Sequence, residues 1–410
     1  MIFKNFLYKL YVIFYAKVKL YFQLKPNQNI LLKKKKILLP LIETNHYQVF
    51  QLLLIAKGLQ LRGNIIKVLL CGETLKGCEI KSLKNESEKD PCWKCRFNNN
   101  HLVKLFNLDV IYIDDYFDRN EIEKLEKIYI KKNFKNIKSL SIKKIVDDSV
   151  SRYFFGNKVL DKDRIVFSKH YHTAIKMYKL AEKIHKEFKP NIVLSNMSSY
   201  STFEPFISYF KYKKISCRLV TMTAFNLKCV VVDLFDLMKS NKRFNAFKKN
   251  RDVNYLTSYE NKELQAFLNN RFTGKDQNLI KNNYVNLSNR IKDLEDDFEK
   301  NKKKIKVFLF SNLHWDVGLS DQSKIFKDVE DWLIQTIKFF KINKKFHLYI
   351  KPHPAEDIKN HSSLMTIEKI IINKFGKIPD FVTIINKEYK INIFDYKKHI
   401  DLCLLYSGTL

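Results

Sequence analysis

The sequence predicts an α/β protein made of two Rossmann-like domains, and three observations predict it. The chain has 410 residues, 45% of them hydrophobic, enough for two units that each bury a core of their own. Apolar runs of strand length alternate with periodic helical segments, once across residues 37–235 and again across 304–410, and such alternation builds parallel sheets covered on both faces. Between these blocks, from 236 to 303, the composition turns polar and helical, as in a connector.

In chain order, residues 1–36 come first. Up to Leu24 they are rich in Phe, Tyr, Leu and Ile, but Lys4, Lys9, Lys17 and Lys19 interrupt them. The longest uncharged run, Leu10 to Ala16, is far short of the ~20 apolar residues that cross a bilayer. No small-residue cleavage site follows, so a signal peptide is not expected. Two readings fit this segment: a helix lying on an anionic membrane surface, or ordinary packing against a domain.

After the lysines at 33–36, Ile37 to Ile42 reads as a strand, Glu43-Thr44-Asn45-His46 as a loop, and Tyr47 to Arg62 as a helix. A turn at Gly63-Asn64 leads to strand Ile65 to Leu70, with further strands at Val110 to Ile113 and Ile192 to Leu194. Helix Tyr171 to Phe188 stops before Pro190. Glu260 to Phe267 and Asn282 to Lys304 read as solvated helices. The second block gives strand Ile305 to Phe310, helix Phe326 to Phe340, strand His347 to Ile350 and helix Ser363 to Phe375. Strand Phe381 to Ile385, a helical stretch around Ile393 to His399 and strand Asp401 to Tyr406 complete it. A strand followed by a small-residue turn normally feeds a helix, so the ending at Ser407-Gly408-Thr409-Leu410 reads as an incomplete second domain.

With 75 Lys+Arg against 43 Asp+Glu the net charge is +32, but the excess is scattered lysine rather than an Arg-rich patch, so no nucleic-acid partner is expected. Only 9 glycines occur, and neither GxGxxG nor GxxxxGK[ST] is present. Seven cysteines are too few for a disulfide scaffold and suit a reducing compartment, the cytoplasm. Four of them, Cys71, Cys78, Cys92 and Cys95, fall in one window and close with a Cys-x-x-Cys pair, which chelates a single ion such as structural zinc. The first pair is spaced more widely than in a zinc knuckle, so metal and non-metal readings both stand. Cys217, Cys229 and Cys403 sit in apolar contexts and are expected in the core.

Three segments carry chemistry. They are Phe308 to Asp316 with Ser311-Asn312 and Trp315-Asp316, the Trp332-Leu333 pair, and Lys351-Pro352-His353-Pro354-Ala355-Glu356. In this order they resemble the capsule and surface-polysaccharide glycosyltransferases of bacteria, although Ser311-Asn312 stands where that group has Thr-Asn. Ser407-Gly408-Thr409 resembles the group's phosphate-binding turn, and Cys71 to Glu79 resembles a cysteine segment found in some members. The resemblance implies a GT-B-like fold, two Rossmann-like domains facing a cleft. It implies sugar transfer from a nucleotide-sugar donor to a capsule- or O-antigen-like acceptor, glycan or lipid-linked, without a cofactor for the transfer. It further implies donor binding by Asn312, Trp315, Asp316, Lys351, Glu356, Ser407, Gly408 and Thr409, with His353 at the donor phosphate. Ordinary chemistry agrees, since negative charge develops on the leaving phosphate and His353 can answer it.

An inverting transfer needs a base. Glu43 and His46, after the first strand, fit that role, and Glu204 is a second candidate. Glu43-Thr44-Asn45 fits equally well as a helix cap. The hydroxyl-rich loop from Ser195 to Ser201 suits either acceptor binding or a turn. The expected location is the cytoplasm, with peripheral association at the inner face of the cytoplasmic membrane as one of the two readings of the N-terminal segment. Polyol-phosphate transfer and a non-catalytic role in polysaccharide assembly are the alternatives.

Overall fold

The computed structural model describes residues 34–42, 46–81, 91–118, 120–121, 140–156, 164–222, 229–233, 256–272, 292–315, 325–353, 356, 363–385 and 393–406. The chain divides into two compact units, one formed by Met1–Ser149 and Asp163–Ala246, the other by Val150–Lys162 and Phe247–Leu410.

The first unit carries strands β1 (Lys36–Leu41), β2 (Ile65–Leu70), β3 (Asp109–Tyr112), β4 (Ile192–Ser195), β5 (Ser216–Met222) and β6 (Cys229–Asp233). They form one sheet in the order β3-β2-β1-β4-β5-β6, parallel except that β6 returns antiparallel to β5. Its helices are α1 (His46–Leu61), α2 (Pro91–Phe106), α3 (Ile142–Tyr153, which belongs to the second unit from Val150 on), α4 (Arg164–Phe188) and α5 (Tyr200–Tyr212). Residues 37–41 of β1 are all buried, as expected of a central strand with both faces covered. Leu39, Leu41, Val68 and Leu70 share one core with Val49, Leu52 and Leu53 of α1 and Val103 and Phe106 of α2.

The second unit holds α6 (Ser258–Phe272), α7 (Lys292–Lys300), β7 (Ile305–Phe310), α8 (Val329–Ile342), β8 (Phe346–Lys351), α9 (Ile367–Phe375), β9 (Val382–Ile384) and β10 (Leu402–Leu405). The sheet order is β10-β7-β8-β9, all parallel. Period-two alternation sorts its side chains. Val307, Leu309, Leu348 and Ile350 face α8 and α9, while Phe308 and Tyr349 face Phe298 and Leu294 of α7. Local signals fix the helix ends. The Asp328 carboxylate accepts from Asp331 N at 2.8 Å, Thr366 Oγ1 accepts from Lys369 N at 3.3 Å, and Gly376 closes α9 at φ 78°. Thr257 and Glu260 form a reciprocal capping box at the start of α6.

Counted from its own first strand, each sheet runs third, second, first, fourth. This is the Rossmann order, and it puts a topological switch point between β1 and β4 in the first unit and between β7 and β10 in the second.

The structure differs from the sequence reading in several places. The 236–303 stretch is not a separate connector throughout, because Leu294 and Phe298 bury α7 against the second sheet. Only two apolar residues, four positions apart on a short acidic helix, mark that face. The window around Cys92 and Cys95 is helical, as the first turn of α2, and the β5–β6 hairpin was not anticipated. Cys217 is buried as expected, but Cys403 is exposed: it lies on β10, an edge strand of its sheet. Cys229 begins β6, and its side chain lies outside the described residues.

Candidate functional site

Ligands of open α/β sheets bind beyond the carboxyl ends of strands at the switch point. In the second unit those ends are Phe310 of β7, Lys351 of β8 and Leu405 of β10, three adjacent strands. The Ser311 to Trp315 loop, Pro352-His353 and Tyr406 therefore start from one edge. Ser311 N donates to Lys351 O at 3.0 Å, which ties the first two exits together. The last pairing of β10 with β7 is Leu405 with Phe310, so Tyr406 and Ser311 are the next residue on each strand.

Two hydroxyls stand out there. Ser311 is 6% exposed and its Oγ has no hydrogen-bond partner among the described residues, and the same holds for the buried hydroxyl of Tyr406. The Tyr406 ring packs on Trp332 of α8 with centroids 5.5 Å apart, so its orientation is set by packing. A buried hydroxyl left unbonded costs about 1–3 kcal/mol, and such groups mark places where a ligand or water supplies the bond. For Ser311 the sequence signal was position alone, the first residue after a predicted strand. Tyr406 was read merely as a strand end.

Of the residues expected at the donor site, Lys351 and His353 are half-buried, and His353 O accepts from Glu356 N at 2.9 Å. Glu356 is 1% exposed and its backbone O accepts from Ser363 N at 3.0 Å. Trp315 is also buried. Its Nε1 donates to Ser363 Oγ at 2.9 Å and its ring meets Phe155 edge-on at 5.4 Å, with the Arg152 guanidinium 5.9 Å from the ring centroid. Its indole N–H is thus committed within the protein, and Trp315 positions the Asn312 loop. His314 Nε2 lies 3.5 Å from Gly156 O. Asp316, Pro354, Ala355, Ser407, Gly408 and Thr409 lie outside the described residues.

At the first unit's switch point, Glu43 lies outside the described residues and His46 opens α1, its side chain likewise undescribed. The loop after β4 is ordered by its own hydroxyls. Ser195 Oγ donates to Met197 O at 2.6 Å, and Asn196 Nδ2 donates to Gln48 Oε1 of α1 at 3.3 Å. Tyr200, at 3% exposure, is held at φ 69°, a left-handed conformation that costs a non-glycine residue about 1–3 kcal/mol. Glu204 is half-buried on the first turns of α5.

Beneath this loop lies a polar network that the sequence reading did not identify. Ser201 Oγ donates to Glu79 Oε1 at 3.4 Å, Thr202 Oγ1 bonds Glu79 Oε2, and His170 Nδ1 lies 2.7 Å from Ser201 Oγ. Burial, with Lys169 and Lys81 adding to it, lowers the His170 pKa to about 4, so the ring is neutral at neutral pH. Polar residues at His170, Thr173 and Lys176, three apart on a buried helix face, were the available signal.

The four clustered cysteines come together. Cys71, Cys78, Cys92 and Cys95 line one cavity of about 30 Å3 beside Ile42 and Leu70. Burial raises the pKa of Cys71 and of Cys78.

No family model matches the chain, and no curated protein matches it. Among solved structures it is similar to UDP-GlcNAc 2-epimerase from Neisseria meningitidis bound to UDP-GlcNAc, at 10% identity over 91% of this chain and 78% of that one, TM-score 0.24. It is also similar to a CDPS from Fluoribacter dumoffii, at 10% identity over 44% and 85%, TM-score 0.29. A third is tyrosyl-tRNA synthetase of Leishmania major in complex with tyrosinol, at 8% identity over 87% and 78%, TM-score 0.28. Likeness this slight carries nothing about the site, and the assignment of two Rossmann-like α/β units rests on the strand orders above.

Proposed function

We propose that the protein is a glycosyltransferase whose second unit holds the phosphates of a nucleotide-sugar donor at the β7/β10 switch point. The observation that carries this reading is the convergence there of Ser311, Lys351, His353 and Tyr406, two of them with buried hydroxyls that have no hydrogen-bond partner among the described residues. As the acceptor oxygen bonds to the anomeric carbon and the bond to the leaving phosphate breaks, negative charge builds on that phosphate. Lys351 supplies charge and His353 a proton or charge to meet it, while the hydroxyls of Ser311 and Tyr406 donate to its oxygens. The acceptor proton passes to a carboxylate, for which Glu43 and Glu204 are the candidates and His46 the imidazole alternative. The acceptor class, a surface polysaccharide or its lipid-linked precursor, and the peripheral membrane location follow from the motif resemblance. Among the described residues no helix is long and apolar enough to cross a membrane.

A thermal-shift screen of the purified chain against CMP, CDP, UDP and GDP and their sugar conjugates tests the proposal. One nucleotide family should stabilise it, by about 2.7 kcal/mol at a hundredfold excess over Kd, and His353→Ala should weaken that effect. No shift with any member of the panel refutes donor binding. Stabilisation by a CDP-polyol but by no nucleotide sugar refutes the sugar-transfer reading.

A further inference from the structure

Trp93, Phe97 and His101 recur at every fourth residue of α2, so they stand in one stripe down the helix. Their rings form a ladder, Trp93 on Phe97 with centroids 5.2 Å apart and Phe97 on His101 at 4.2 Å. Trp93 is 55% exposed and Phe97 44%, whereas the other two tryptophans, Trp315 and Trp332, are buried. Exposed Lys104, three residues beyond His101, continues the stripe. Exposed Arg96 borders it and pairs with Glu73 at 3.2 Å. On the inner side of α2 the four cysteines line their cavity, but among the described residues no group of three or more His, Cys, Asp or Glu side chains is placed to hold an ion. α1 packs beside α2 on the same face of the sheet, with residues of both helices in one core and the Phe50 ring 5.4 Å from that of Phe106. Their outward sides therefore form one surface, to which α1 adds Phe50 and Leu54, both exposed and one turn apart. Neither 16-residue helix contains an Asp or Glu, although 43 of the chain's 410 residues are acidic.

We propose that this face of α1 and α2 docks the protein on an anionic lipid bilayer. Exposed aromatic rings with a polar edge settle in the headgroup layer, where the apolar body leaves water and the indole N–H keeps a partner. Lys104 and Arg96 beside them are drawn to anionic headgroups, and the lack of carboxylates on both helices removes the repulsion that such a surface meets elsewhere on a protein. The same charge pattern argues against a second copy as the occupant, because two such faces would set cations against cations with no carboxylate of either helix between them. Leu70 and Cys71 at the end of β2 line one cavity with Cys92 and Arg96, so α2 starts at the carboxyl edge of the sheet, the edge at which ligands of such sheets bind. Trp93 in the first turn thus brings the bilayer to the edge where the first unit would take a lipid-linked acceptor. The inference names a surface for the peripheral location proposed above and rests on that part of the reading; it does not depend on the donor site.

The test floats the full chain with vesicles of phosphatidylcholine alone and of phosphatidylcholine and phosphatidylglycerol in equal parts. The expected result is binding to the mixed vesicles that weakens as salt is raised, with tryptophan fluorescence shifted to the blue and quenched by brominated acyl chains. Trp93 is the exposed tryptophan, so that signal reports this face. Trp93→Ser/Phe97→Ser changes two exposed positions and should bind the mixed vesicles at least about tenfold more weakly, and Lys104→Glu about tenfold more weakly. Circular dichroism and the melting temperature show that each variant is folded; if the aromatic variant is not, Lys104→Glu and the quenching decide. No binding of the wild type to mixed vesicles overturns both the surface and the peripheral location. Full binding by the folded aromatic variant overturns the surface and leaves the location to another segment. A wild-type dimer that ignores vesicles and that the aromatic variant makes monomeric overturns the proposal in favour of a second copy. Nucleotide-induced stabilisation should be unchanged in these variants, so a failure here is distinct from a failure of donor binding.

Discussion

Gly77→Ala adds one methyl group where the structure has no room for it. A Cβ built on Gly77 would stand 2.6 Å from His170 N, 2.7 Å from His170 Cα and 2.8 Å from Lys169 C, all backbone atoms of α4. Nonbonded heavy atoms settle at ~3.5 Å or beyond, so the loop must retreat from the helix by most of an ångström. A backbone obstacle cannot swing aside as a side chain does. Retreat also stretches both Gly77–Thr173 hydrogen bonds, each worth about 0.5–1.5 kcal/mol. Adding about 1–3 kcal/mol for overpacking gives a loss of roughly 2–6 kcal/mol in the first unit. Gly58→Ala is the matched control. It lies inside α1 with nothing within 4 Å of its would-be Cβ, so the same methyl should stabilise by about 0.5–1 kcal/mol through helix propensity. Urea denaturation followed by far-UV circular dichroism reads both. A Gly77→Ala variant as stable as wild type would refute the close packing of the cysteine loop on α4.

Acid should unfold the first unit early. The His170 pKa is lowered from 6.5 to about 4 by burial, so the unfolded chain binds its proton first. The stability from its neutral state is full above about pH 6.5 and is lost as pH falls towards 4, on the order of 3 kcal/mol. His170→Gln should flatten that part of the stability profile measured from pH 7 to 4. In the second unit His347, 2.8 Å from Thr383 Oγ1 and also lowered to about 4 chiefly by burial, should lose stability in the same direction and window, detectable as a second acid-sensitive transition. Ser311→Ala removes a hydroxyl with no partner among the described residues, so the melting temperature without ligand should hold or rise while the nucleotide-induced shift falls; a large loss of basal stability would contradict the geometry. Ser363→Ala strands the buried Trp315 N–H and should cost about 1–3 kcal/mol, visible in the denaturation of the second unit.

Much of this architecture was legible in the residues. Ile65 to Leu70 and Ile305 to Phe310 are strands with the predicted bounds, because β-branched and aromatic runs of that length between turn signals have few other uses. Less was legible where an element's apolar face is short or mixed. α7, Lys-Asp-Leu-Glu-Asp-Asp-Phe-Glu-Lys, reads as a solvated helix, yet Leu294 and Phe298 alone suffice to dock it. Ser216 to Met222 carries Arg218 among its apolar residues and gave no clean alternation, so β5 was missed.

The sequence by itself determined the alternation of strands and helices, the two blocks, and the set of polar residues at strand ends, because these depend on local periodicity and turn chemistry. Only the tertiary structure decided which strand lies beside which. Strand order is a property of nonlocal pairing, and it alone makes the exits of β7, β8 and β10 neighbours although they are up to 95 positions apart. The same holds for the cysteines. Their spacing named a possible ion, but the packing of Gly77 against α4 and the start of α2 near the end of β2 bring all four to one cavity.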